Sequence, residues 1–174
     1  MNKAYPYRLA LITGLAALLL GLSACSPPAP LQSCRLKRVA DGDSVDLDCA
    51  GQQVKVRLHC IDAPELGQRP WGDQAKAYLQ SLLPARLLLK PVEKDRYGRT
   101  VAELFEAQAD GGQGQSFNLA MVMAGQAAVY KRYCQHPEYS ASEQQARGYR
   151  VGIWSRPGLH QRPWQWRRRH PRRG

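Results

Sequence analysis

The chain has 174 residues, 44% of them hydrophobic and 22% charged, a balance that excludes wholesale disorder and allows one domain with a real core. The formal net charge is +11, but six arginines between residues 162 and 173, together with Lys3 and Arg8, carry most of it. The body is therefore mildly basic and only the tail strongly so, which points to polyanions without choosing between nucleic acid and an acidic envelope surface.

Lys3 and Arg8 precede a nearly uninterrupted apolar run over residues 9–22, followed by small residues. This is the layout of a secretory signal peptide, and the run of about 14 residues falls short of the roughly 20 that a membrane span needs. Leu22-Ser23-Ala24-Cys25 resembles a bacterial lipobox, which makes residues 1–24 a cleaved leader and Cys25 a lipidated first residue. The proline-rich stretch SPPAP (26–30) then serves as a stiff tether within residues 25–33. Ser26 after Cys25 favours the outer membrane, by resemblance to lipoprotein sorting rules. The expected location is thus the bacterial envelope, with membrane attachment through Cys25, or the exterior.

Residues 35–40 and 43–49 are predicted strands about the turn ADGD (40–43), because Asp-Gly is a strong hairpin signal. Val45, Leu47 and Cys49 alternate with polar neighbours, as in a half-buried strand. A turn at Ala50-Gly51 leads to a third strand in which Val54, Val56 and Leu58 face one way and Arg57 the other. Residues 73–83 have helical periodicity and end before Pro84. Strands follow at 87–92 and 100–105 about the turn DRYGR (95–99). A glycine-rich loop at 111–114 precedes a helix capped by Ser116 and closed by Gly125, and a last helix covers residues 138–149. Five short strands with two or three helices suit an α+β, mainly β, OB-type barrel, a fold that commonly binds oligonucleotides. The folded unit is expected over residues 34–155, with a basic Trp/Arg-rich tail over 156–174.

Four cysteines remain beyond Cys25, and an even number in an exported chain favours disulfides. Cys34 and Cys49 lie equally far from the centre of the Asp41-Gly42 turn, which pairs them across the hairpin; Cys60 and Cys134 are the remainder. No CxxC spacing supports zinc.

Asp41, Asp43, Asp62 and Glu65, with Arg57 and Arg99, are the groups able to carry chemistry. Converging carboxylates call for a hard cation, guanidinium groups grip phosphate oxygens, and a carboxylate free of the metal activates water. Together these describe phosphodiester hydrolysis. Each also has a plain structural use, as turn former, helix entry or salt-bridged turn, and spacing alone does not show that they meet.

ADGDSV (40–45), VRLHCIDAPE (56–65), DRYGR (95–99) and the closing GIW (152–154) resemble, in that order, the staphylococcal nuclease (thermonuclease) family. The resemblance implies an OB barrel with about three helices and calcium-dependent cleavage of DNA and RNA to 3′-phosphate and 5′-hydroxyl ends, by a monomer. It implies that Asp43, Asp62 and the Ala63 backbone carbonyl hold the metal, with Asp41 acting through water. Glu65 matches the base, Arg57 and Arg99 the phosphate-binding arginines, and Tyr97, Tyr133 and Lys131 nucleotide contacts, with Tyr130 and Lys131 in a stretch of altered spacing. A non-catalytic, nucleic-acid-binding envelope lipoprotein is the alternative, and retention of all six charged positions argues against it. The tail, with Trp164 and Trp166 among its arginines, suits base stacking, an anionic membrane interface, or packing of Trp164 on the barrel.

Overall fold

The computed structural model describes Met1 and residues 30–171. The rest of the leader, Cys25, most of the tether and residues 172–174 lie outside the described residues. Eight strands and four helices follow: β1 (Gln32–Val39), β2 (Ser44–Cys49), β3 (Gln52–Leu58), β4 (Ile61–Asp62), α1 (Trp71–Leu82), β5 (Arg86–Lys94), β6 (Thr100–Ala107), β7 (Gln113–Ser116), α2 (Phe117–Met123), β8 (Ala128–Val129), α3 (Pro137–Gly148) and α4 (Pro163–Arg169).

β1, β2, β3, β5 and β6 make a closed five-stranded barrel of the OB type, as expected. Neighbours in the order β3-β2-β1-β5-β6 run antiparallel, and β6 closes the ring by pairing parallel with β3, Arg57 standing opposite Val101. Period-two patterning aims the apolar set inward: Val45 and Leu47 from β2, Val56 and Leu58 from β3, Leu87 and Leu89 from β5, and Leu104 from β6 are buried. Leu79 of α1 and Met121 of α2 complete that core.

Ser116 caps α2 as predicted, accepting a hydrogen bond from the Leu119 N–H. Part of the expected glycine-rich loop is instead strand β7, which pairs with the end of β6. Gly114 has no side chain to announce this, and pairing to a neighbour decides it. The sequence also pointed to about three helices; α4 is a fourth, formed by the tail, with Pro163 at its first position.

Both disulfides form as expected, Cys34–Cys49 across the β1–β2 hairpin and Cys60–Cys134 between distant segments. Buried Asn118 is a second fastening. Its Oδ1 accepts from the Leu104 N–H, and its Nδ2 donates to the carbonyls of His59 and Ala102 at 3.0 Å each. One side chain thereby ties α2 and β6 to the exit of β3, whose next residues carry the candidate site.

Candidate active site

The site begins at the β1–β2 turn. The Asp43 N–H donates to Asp41 Oδ1 at 3.0 Å, the Asx geometry that holds such turns, and the two carboxyls are near enough for Asp43 to raise the pKa of Asp41. Asp43 is 7% exposed and both its oxygens have partners: Oδ1 accepts from the Ser44 hydroxyl, and Oδ2 accepts from the Ala63 N–H at 2.9 Å and pairs with Arg57. Arg57 arrives there by register, standing opposite Ser44 in the β2–β3 ladder. Its Nη2 reaches Asp62 Oδ1 at 2.9 Å and the Ile61 carbonyl at 3.3 Å.

Asp62 is fully buried, fixed by the short β4–β8 pairing opposite Ala128. Glu65 follows on a loop locked by Gln68: Gln68 Oε1 accepts from the Glu65 N–H at 2.9 Å, and the Gln68 N–H donates to the Glu65 carbonyl at 2.7 Å. The start of α1 presses on this loop so closely that a Cβ on Gly72 would lie 2.1 Å from the Glu65 carbonyl oxygen. Only glycine fits there, and the approach fixes where Glu65 stands.

Direct contacts thus gather Asp41, Asp43, Arg57, Asp62 and Ala63 into one group, and Glu65 joins it through an unforeseen residue, Arg167 of α4. Arg167 Nη1 donates to Glu65 Oε1 at 2.8 Å and to Asp62 Oδ1 at 3.0 Å, while Nη2 donates to Asp62 Oδ2 at 2.9 Å. Asp62 therefore lies between two guanidinium groups, one from the barrel and one from the tail.

The tail is held by aromatic packing. Trp71 stacks on His160 with ring centroids 4.3 Å apart, and His160 Nε2 lies 3.0 Å from the carbonyls of both Ile153 and Arg156. Trp164 stacks on Tyr130 at 6.0 Å, and the Trp166 ring lies where a Cβ on Gly67 would meet it at 2.9 Å. Trp164 therefore packs on the barrel, the third of the uses open to it from sequence.

Burial and Asp43 push the Asp41 carboxyl up to about 6. For Asp43 itself burial opposes ionisation, but Arg57 and the Ala63 N–H hold it below the usual carboxylate range. Burial and the adjacent Asp43 push Asp62 up, opposed by both arginines. Burial works against the charge of Arg57, yet Asp43 and Asp62 raise its affinity for its proton further. The rim thus gathers four carboxylates about two arginines, and the donors those side chains offer are all oxygen. That set fits a hard divalent cation.

The remaining expected residues stand at the margins. Arg99 is half-buried in the turn before β6, its Nε paired with Asp95 Oδ2 at 2.8 Å, and the β3–β6 register sets the next residue, Thr100, opposite Val56. Tyr97 is exposed in the same turn, and Lys131 and Tyr133 are exposed on the segment after β8. Tyr133 stacks edge-on against Tyr130 at 4.9 Å. His59, Cys60 and His136 place potential ligand atoms within 4.8 Å of one another, but the Cys60 sulfur is spent in its disulfide.

Arg167, Gln68, Gly72 and Asn118 escaped the sequence reading. Arg167 is one of seven arginines in the tail, and nothing local distinguishes it. The glycine and the two amides act through partners distant in space, which spacing does not report.

Fold and site define an OB-type barrel whose rim gathers carboxylates around positive charge. Residues 55–156, more than half of the chain, match the family described as staphylococcal nuclease homologue, and the chain belongs to that family. Among its curated relatives, Protein ParB of Escherichia coli is 38% identical over 159 residues, spanning 88% of this chain and 89% of the relative. Micrococcal nuclease of Shigella flexneri is 40% identical over 140 residues (75% and 78%). An uncharacterized endonuclease of Haemophilus influenzae is 36% identical over 160 residues (91% and 84%).

Proposed function

We propose that this nuclease-family hydrolase is a calcium-dependent endonuclease that cleaves DNA and RNA to 3′-phosphate and 5′-hydroxyl ends. One observation carries the reading: Asp43, Arg57 and Asp62, from a hairpin, a barrel strand and the strand after it, meet in a single contact-linked group that Arg167 extends to Glu65.

In this reading Asp43, Asp62 and the Ala63 carbonyl hold the cation, and Asp41 holds its waters. The bound cation supplies positive charge to a phosphoryl oxygen of the substrate. Arg57, anchored by two carboxylates and therefore pre-oriented, presents its remaining guanidinium edge to the scissile phosphate, and Arg99 approaches from the neighbouring turn. Fixed donors stabilise developing charge more than mobile ones because they need no reorganisation as it forms. Glu65, held by Gln68 and the start of α1, orients a water and takes its proton. Tyr97, Tyr133 and Lys131, all exposed, offer rings and charge to the flanking nucleotides. The enzyme acts as a monomer at the bacterial envelope, attached through lipidated Cys25 after removal of residues 1–24.

The test is incubation of the full chain with plasmid DNA and with RNA, in Ca2+ and in EDTA. Cleavage in Ca2+ alone, with products that accept a 5′ label directly, is the expected result. Glu65→Gln should slow it about 100- to 10,000-fold with an unchanged circular dichroism spectrum. Nucleic acid bound but intact at every Ca2+ concentration would leave a binding-only barrel.

A further inference from the structure

Arg167 engages the two carboxylates that the proposed reaction needs free, one as cation ligand and one as base. Both terminal guanidinium nitrogens point at Asp62, one to each oxygen, and Nη1 is shared with Glu65 at 2.8 Å. A planar fork matched to a carboxylate in this way is the strongest form of side-chain ion pair. It also places a full positive charge beside the oxygens that a bound metal ion would use.

The contact is built, because the segment leading to it is anchored at three places. His160 is buried against Trp71 and bonded to two carbonyls, Trp164 lies on Tyr130, and Trp166 lies over Gly67 in the loop that presents Glu65. Tyr130 is itself tied to the site, since its N–H donates to the Cys60 carbonyl at 2.8 Å, two residues before Asp62. α4 nevertheless has only seven residues, and Pro163 alone among them is buried. Its hold is local and short, which suits a segment that has to let go.

We propose that Arg167 is a tethered internal cation that occupies the Asp62–Glu65 pair in the metal-free protein and competes with the metal ion for it, so that the C-terminal helix sets the metal affinity of the site. The inference rests on the metal-site reading above. The physical basis is mutual exclusion: Asp62 Oδ1 already accepts from Arg57 and Arg167, and a divalent cation taking that oxygen meets the Arg167 charge about 3 Å away. Metal entry therefore requires Arg167 to leave. By linkage, whatever holds α4 down weakens metal binding, and metal loosens α4 by the same factor.

The test is calorimetric titration of Ca2+ into the metal-free full chain, its Arg167→Gln variant and its Trp164→Ala variant, without nucleic acid. Arg167→Gln leaves Asp62 and Glu65 short of one positive charge and is expected to bind Ca2+ at least tenfold more tightly. Trp164→Ala keeps every charge of the site but removes an anchor of α4, and should shift affinity in the same direction by a smaller factor. It also decides the matter if Arg167→Gln fails to fold. In the parent chain, hydrogen exchange over residues 163–169 should quicken when Ca2+ is added. Equal or weaker Ca2+ binding by the variants, or no Ca2+ binding by any form, overturns the proposal. Because the readout is binding, the two readings fail separately. A chain that shows the competition but cuts no nucleic acid overturns the nuclease reading alone. One that cuts, with Ca2+ affinity indifferent to residue 167, overturns this one alone.

Discussion

Arg57 and Arg167 share Asp62 but are held by opposite kinds of structure. Arg57 comes from the end of a barrel strand, one residue before β3 closes at Leu58; its side chain is 14% exposed, and its place is set by ladders on both sides of β3. Arg167 comes from the last short helix; its side chain is 35% exposed, and its place is set by ring contacts along the tail. A strand in a closed barrel moves only if the barrel opens, whereas a docked segment can leave while the rest stays folded. The same guanidinium–carboxylate chemistry therefore makes a permanent part of the site in one region and a removable one in the other.

Replacing the permanent member strains this comparison most. Arg57→Gln leaves Asp43 and Asp62 facing each other with their main counter-charge gone, and loss of one partner from a buried pair costs about 3–5 kcal/mol. Urea unfolding of the metal-free protein should show that loss, and the plasmid assay should show cleavage down by about 100-fold or more. Stability close to that of the parent would mean that Arg167 alone can neutralise the cluster, and that the two arginines are interchangeable.

Opening the Cys60–Cys134 bridge acts on both regions, because Cys60 precedes Asp62 by two residues and its carbonyl supports Tyr130, the platform for Trp164. A bridge closing a loop of this length contributes about 4 kcal/mol in the chain-entropy view. The double variant Cys60→Ala/Cys134→Ala should lose stability on that scale in urea, with faster hydrogen exchange in α4 than in β2 and β3. Equal acceleration in all three would show that the tail docks as firmly as the barrel closes.

The smallest change is a pH effect at Asp41. Its carboxyl is raised from the usual 3.8 to about 6, by burial first and Asp43 second. A folded-state value above the unfolded one means that the folded protein holds this proton more tightly. The associated stability is present below about pH 4 and is lost as pH rises through 6. In EDTA, Asp41→Asn should therefore melt higher than the parent at pH 8, with the difference gone at pH 4. A difference that persists at pH 4 would place the effect in turn geometry.

Much of this was legible in order along the chain. Alternation in 44–49 and 52–58, the Asp-Gly turn, and the symmetric placing of Cys34 and Cys49 about it are local signals, and the barrel honours each of them. The carboxylates and Arg57 could be named because the motifs that carry them are contiguous. Strand β7 was hidden because glycine and glutamine have little strand preference of their own, and pairing with β6 alone makes them one. The tail was readable as charge and aromatic content but not as a structure, since the ring contacts that dock it, His160 on Trp71, Trp164 on Tyr130 and Trp166 over Gly67, are with residues far away in sequence.

The sequence by itself determined the barrel, the Cys34–Cys49 bridge across its first hairpin and the residues that crowd its rim, because period, turn chemistry and motif spacing act over a few residues. Only the tertiary structure decided that Asp62 meets a second guanidinium from 105 positions away, that Gln68 and Gly72 fix Glu65, and that the basic tail folds back instead of extending. Those contacts arise from surfaces brought together when the barrel closes. A linear pattern carries no record of which one of seven tail arginines will find the acidic rim.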